Sequence, residues 1–329
     1  MIKILYAAGK TSNSKLQLIR FVQAMQDKPY LIKLAAFKDI SPNINIDWTL
    51  DCLLNVYEPN QYYKDNENFR NYIDQIQSFK PDLIISDLEY FTTEAALHLN
   101  IPVWQYSPSI INFALTKKQK YNLGIFKQYS YLLNRNPHTV QRTLNIIENS
   151  NLKLICSHFG DLANPLEIQQ GYEWVRPYSF QHNKSLVCQH NIVCASLSLN
   201  KKIINFVKDF DDTVYFSNQI YENHRNIQIK KLENNELEYF CNIKNSDIFI
   251  CEGQTSFLAD AFYNGKKPHI VLNFDDNECV LSAALSDHLK LSSFLYKKED
   301  LSFLEFETPS LNDINFLHQK IDQHFLKKE

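Results

Sequence analysis

The feature that most constrains this chain is an order of short apolar runs and amphipathic helices that is stated twice. Residues 2–8, IKILYAA, form an apolar run ending at Gly9, after which Leu16, Leu18, Ile19, Val22 and Met25 recur at helical spacing. A run of that length before a small-residue turn reads as a buried parallel strand, and the period after it as a helix. From Asn66 to Phe79, the residues Phe69, Tyr72, Ile73, Ile76 and Phe79 share one helical face; Pro81 stops that helix and DLIISD gives a strand ending at Asp87. A helix over Thr92–Leu99 leads through IPVWQY into a further strand. The second half repeats the grammar: NIVCAS, helix KKIINFVKDF, strand TVYFS, short strand IQIKKL, helix ELEYFCNIK, strand DIFICEG, helix TSFLADAFYNG, strand HIVLNF and helix ECVLSAALSDHL. Alternation of this kind predicts an α/β protein with parallel sheets covered by helices on both faces.

At 329 residues the chain has room for two domains of the usual ~150 residues each. Residues 157–185 are turn-rich and polar, with Pro165, Gly171 and Pro177 and no clear period in the last ten, so a hinge is expected near 178–186. The division expected is 1–180, 181–310, and a terminal segment 311–329 in which Ile314, Leu317, Ile321 and Phe325 mark an amphipathic helix that must dock on another surface. A net charge of −3 gives no global attraction to nucleic acid or anionic lipid. No stretch approaches the ~20 apolar residues that cross a bilayer. Seven cysteines, an odd number without paired short spacings, read as reduced and mostly buried thiols of a cytoplasmic protein.

In open parallel sheets, ligands bind beyond the carboxyl ends of the strands. Four places qualify: Gly9–Asn13, Asp87–Tyr90, Glu252–Ser256 and Asp275–Glu278. Gly253 ends a strand, Thr255 and Ser256 open a helix, and Gly265 closes it before Pro268. A glycine there admits close backbone approach, and free N–H groups at a helix start suit a diphosphate. The competing structural reading makes Thr255 or Ser256 an N-cap and Gly265 a C-cap. Two other motifs fail: Gly9-Lys10-Thr11 lacks the earlier glycine of a P-loop, where Ile4 stands, and His182, Cys188, His190 and Cys194 match no zinc spacing. No metal site is expected.

The string Gly253, Thr255, Ala261, Gly265, Lys267, Pro268, then Glu278 and Ala283, resembles the donor-binding region of GT-B glycosyltransferases, in particular the family 28-like group. The opening MIKILYAAGKTSNSKL and the segment PDLIISDLEYFTTEAALHLNIPVW are similar to the same group, so the resemblance runs from residue 1 to about 296. Departures are present: Asp260 stands for the helix Glu, Cys279 and Ser282 for a Gln and an Asn, and the first loop lacks its later glycines and its His. The resemblance implies two Rossmann-like domains facing each other across a cleft, the terminal helix packed back on the first, and transfer from a nucleotide sugar, UDP-sugar favoured, without an obligatory metal or other cofactor. Position by position it implies that Gly253, Gln254 and Thr255 hold the diphosphate, and Asp275 and Glu278 the donor sugar or ribose, with Ser256 also on the donor side.

Transfer to a hydroxyl needs a base. Glu89 and Asp87 are the candidates at strand ends, Glu89 expected to point into the cleft and Asp87 competing with a role as a helix cap; His98, His158 and His269 are alternatives that read more simply as core residues. Gly9, Ser12 and Asn13 would line the acceptor side. From Ala95 through Ile147 there is no Asp or Glu, while Lys117, Lys118, Lys120, Lys127, Arg135 and Arg142 give +6, leaving −9 for the rest of the chain. With aromatics interleaved, Lys117, Lys118 and Lys120 suit an anionic acceptor: a lipid-linked pyrophosphate at a membrane surface, or a nucleic acid. The competing reading is a solvated helical pair. A nucleotide-sugar hydrolase or epimerase, or a binding protein without catalysis, are the alternative functions.

Overall fold

The computed structural model describes residues 1–9, 14–37, 45–50, 67–116, 137–157, 159, 166–177, 190–196, 200–217, 226–232, 235–273, 277–295 and 316–325. In the first lobe the strands are β1 (Ile2–Ala7), β2 (Tyr30–Ala36), β3 (Trp48–Thr49), β4 (Leu83–Ser86), β5 (Val103–Ser107), β6 (Leu152–Cys156) and β7 (Tyr172–Val175). Between them run helices α1 (Ser14–Met25), α2 (Glu67–Phe79), α3 (Tyr90–His98), α4 (Ile111–Ala114) and α5 (Pro137–Glu148). The strands form one parallel sheet in the order β3-β2-β1-β4-β5-β6-β7.

The second lobe has β8 (Ile192–Ser196), β9 (Thr213–Ser217), β10 (Ile227–Lys231), β11 (Ile248–Cys251), β12 (His269–Ile270) and β13 (Ser293–Phe294), with α6 (Lys201–Val207), α7 (Glu236–Asn245), α8 (Thr255–Tyr263) and α9 (Asn277–His288). Its parallel sheet is ordered β10-β9-β8-β11-β12-β13. Both lobes are therefore Rossmann-like, and each reverses its strand order once: at β1/β4 in the first lobe and at β8/β11 in the second. Every residue of β4, β5, β8 and β9 is buried, as strands covered on both faces require.

β7 falls inside a stretch whose composition marks it as turn. It is a four-residue edge strand with only Val175 buried, too short to print an apolar pattern. A final helix, α10 (Leu317–Phe325), buries Leu317 and Ile321 in the core of the first lobe. Tyr30 Oη donates to Asp322 at 2.5 Å, Lys320 pairs with Glu173, and the His324 ring stands edge-on to Trp104 at 5.2 Å. The expected hinge, 178–186, and residues 311–315 lie outside the described residues.

The lobes share a core. One apolar cluster joins Leu16, Ile110, Ile111, Leu115 and Phe159 of the first lobe to Val214, Tyr239, Phe257, Leu258 and Phe262 of the second. Within that contact Arg20 of α1 meets Asp260 of α8, both side chains no more than 2% exposed. Four of the five described cysteines are buried and all five are free thiols.

Candidate active site

The switch point of a doubly wound sheet opens a crevice, because the connections on either side leave in opposite directions. In the first lobe that crevice lies between the ends of β1 and β4, where Gly9 and Asp87 stand. Gly9 is placed so that a Cβ would lie 2.0 Å from the Asp87 carbonyl oxygen; only glycine fits. Asp87 is buried, and its Oδ2 accepts a 2.7 Å hydrogen bond from Ser14 Oγ, the first residue of α1. Burial pushes the Asp87 carboxyl above the ordinary aspartate range, against the opposing pull of Ser107, Ser14 and the Gly9 N–H.

Glu89, rather than Asp87, caps the helix that follows. Leu88, between them, sits at φ 53°, a left-handed conformation that costs a branched residue about 1–2 kcal/mol. The bend leaves Asp87 beside β1 and turns Glu89 back onto α3, where Oε1 accepts from Phe91 N at 2.9 Å and Oε2 from Thr92 N at 2.6 Å. Glu89 is thus the N-cap of α3 and is 2% exposed. The expectation that it points into the cleft is corrected: both of its oxygens are taken by the helix it starts. Burial raises its carboxyl as well, offset by those bonds and by the nearby Arg142 guanidinium, which lies 3.4 Å from the Tyr90 ring centre.

In the second lobe the switch point falls between β8 and β11. Gly253 has φ +93°, and a Cβ there would meet Ala283 Cβ at 3.0 Å, Cys279 O at 3.2 Å and Ile270 Cγ2 at 3.2 Å. Gly253→Ala should therefore lower stability by roughly 2–3 kcal/mol, read as a shift of the urea midpoint. Gln254 occupies the N-cap position of α8 but makes no side-chain cap bond; its Nε2 donates instead to Glu252 Oε2 at 2.9 Å. Thr255, expected to offer its hydroxyl to a diphosphate, shares it with Ser282 Oγ at 2.6 Å, so that Ser282 anchors the helix start to α9. The start of α8 also presents an anion with the backbone N–H groups of a helix amino terminus.

Gln254, Thr255 and Ser256 are all under 5% exposed. Beside them Glu252 Oε1 accepts from Asn200 Nδ2 at 2.8 Å, and Asn200 Oδ1 caps α6 by accepting from Lys202 N at 2.9 Å. The β8 and β11 connections are thereby tied together. Gln254 Oε1 is buried without a hydrogen-bond partner among the described residues.

Of the remaining candidates, Glu278 falls in the first turn of α9 and its side chain is outside the described residues, as are Asp275, Ser12, Asn13, Lys117, Lys118 and Lys120. His269 is 1% exposed in β12 and bonded to Ser293 Oγ at 2.9 Å, a core residue. Cys194 is buried within β8, and among the described residues no cluster of three or more His, Cys, Asp or Glu could hold a metal. Four residues of this region were not singled out from sequence: Ser14, Arg20, Asn200 and Tyr239. Arg20 and Asp260 did carry a signal, each being the one charge within a short apolar stretch, LQLIRFV and FLADAF, where an unpaired charge is rarely tolerated.

No protein-family model and no curated protein matches this sequence. Solved structures do match. The spinosyn forosaminyltransferase SpnP aligns with a TM-score of 0.58 at 14% identity, over 91% of this chain and 88% of its own. SsfS6, a glycosyltransferase from Streptomyces sp. SF2575, gives 0.54 at 13% identity over 89% and 88%. MurG of Acinetobacter baumannii gives 0.53 at 12% identity over 92% and 87%. At these identities the likeness is one of fold, and it agrees with the two switch-point sheets built above: the chain has the GT-B fold.

Proposed function

We propose that the chain is a glycosyltransferase that moves a sugar from a nucleoside-diphosphate donor to an acceptor hydroxyl, with UDP-sugar favoured by the sequence resemblance. The observation that supports this best is that the two switch points of a GT-B frame carry complementary groups: a buried carboxylate in one lobe and the uncapped start of a helix in the other. Asp87 takes the proton of the acceptor hydroxyl as its oxygen bonds to the anomeric carbon. The bond from that carbon to the diphosphate oxygen breaks, and both electrons leave with the nucleoside diphosphate, whose charge is met by N–H groups at the start of α8. Ser14 holds Asp87 in place.

The reading asks for no metal or other cofactor. On the acceptor side, Lys117, Lys118 and Lys120 with their aromatic neighbours favour an anionic molecule, lipid-linked or polymeric, met by the protein at the surface of a membrane from the cytoplasm. No described helix is long and apolar enough to cross one. Arg142, the sixth charge of that stretch, is already engaged with Tyr90.

The test is release of nucleoside diphosphate from a panel of nucleotide sugars, with and without acceptors that carry free sugar hydroxyls, a polyprenyl-pyrophosphoryl sugar or a nucleic acid. Release that requires an acceptor supports transfer. Equal release without one favours a hydrolase, and sugar inversion without release an epimerase. No turnover of any donor under any condition would overturn the reading.

A further inference from the structure

Arg20 lies on α1, which touches Asp87 through Ser14 and the second lobe through Asp260. Its Nη2 donates to both oxygens of Asp260, at 2.7 and 2.6 Å, and Tyr239 Oη donates to Asp260 Oδ2 at 3.2 Å. Arg20 is 1% exposed and Asp260 fully buried, so the pair is shielded from the water and salt that weaken surface ion pairs.

The pair lies near the bridge between Arg176 and Phe316. A small cavity next to Arg20 is lined by Phe21, Tyr106, Arg176, Phe316 and His318. Arg176, just past β7, and Phe316, just before α10, form a parallel β-bridge; the connections beyond each of them lie outside the described residues. Arg20 Nε and Nη1 are buried and without partners among the described residues, which leaves Asp260 as the sole ion-pair partner found there for the guanidinium.

The two helices it joins also carry the two halves of the site. Ser14, which bonds Asp87, starts α1 six residues before Arg20, and Thr255 starts α8 five residues before Asp260. At a rise of about 1.5 Å per residue both helix starts lie roughly 8–9 Å from the pair. We propose that Arg20 is a positioning residue: its pair with Asp260 pins α1 to α8 beside the Arg176–Phe316 bridge, so that the lobes turn about this point without sliding, and Asp87 and the donor helix keep their register.

This rests on the transfer reading for its kinetic consequence, but the pin itself can be tested without any substrate. Spin labels carried by non-canonical residues at Gln75 in α2 and Lys244 in α7, both exposed, report the distance between the lobes. The wild type and Arg20→Lys should give one narrow distribution. Arg20→Met and Asp260→Asn should broaden or shift it. The double variant Arg20→Met with Asp260→Leu, which leaves no orphaned charge and so guards against simple misfolding, should stay broad.

In turnover, the Met and Asn variants should lose about 10²-fold in kcat, the size of effect that small misplacement of reacting groups produces, while binding of nucleoside diphosphate is kept and Arg20→Lys recovers part of the rate. Distributions unchanged in all the variants would overturn the proposal, as would kcat and nucleotide binding falling together. If the wild type turns over no nucleotide sugar, the transfer reading fails and the distance distributions still decide the pin.

Discussion

Asp87→Asn should abolish most of the transfer, by about 10³-fold, the middle of the range that a positioned general base contributes, while the melting transition stays close to that of the wild type. Asparagine keeps the shape and one acceptor oxygen for Ser14 but takes up no proton. The pH profile separates this from a packing effect. Because burial raises the Asp87 carboxyl, the acid limb of kcat/KM should lie above the ordinary aspartate range, with the rate rising as pH increases through it. In Asp87→Asn the residual rate should lose that limb. Glu89→Ala is the control, since both its oxygens serve α3: it should cost about 1 kcal/mol of stability, the usual value of an N-cap, and spare the pH profile.

Arg20→Met should destabilise the protein by roughly 3–5 kcal/mol, because it strands Asp260 as a buried charge between the lobes. The pair as it stands is not a net source of stability. Burial outweighs the pull of Arg20 and Tyr239 and raises the Asp260 carboxyl to about 6. The folded chain then holds that proton more tightly than an unfolded aspartate does, so the contribution is full below the unfolded value of about 3.9 and is lost as pH rises through about 6. In Arg20→Met the carboxyl rises further, so the deficit should be smaller at pH values well below neutral than above it. Replacing both residues, as in Arg20→Met with Asp260→Leu, should restore most of the lost stability. Denaturant midpoints at two pH values measure all of these. A buried pair that adds no net stability is better explained by geometry, in keeping with the role proposed for Arg20.

The fold was readable because it rests on order and period. The runs that became β1, β4, β8 and β11 are short, apolar and each followed by a helix, and they set the switch points. β7 left no such mark, being an edge strand with three of four residues half-buried, and the two-residue strands β3 and β13 are too short for any period.

At the site, sequence located the loops but not the side-chain directions. Asp87 and Glu89 are two residues apart after the same strand, and which of them meets the first loop was decided by the left-handed turn at Leu88, a conformation that a leucine codon does not announce. The partner of Thr255, Ser282, lies 27 residues away on another helix, a contact that no local pattern announces. The Arg20–Asp260 pair spans 240 residues, and no local pattern encodes a contact across two domains, although each charge stood out within its own apolar helix.

Calorimetric titration of the purified protein with the diphosphates of uridine, guanosine, thymidine, cytidine and adenosine asks directly whether the β8/β11 switch point and the start of α8 form a donor site. Saturable binding of at least one of them, tighter than about 1 mM, or −4.1 kcal/mol, is the expected result, with uridine diphosphate first. A folded protein that takes up none of the five would contradict the account.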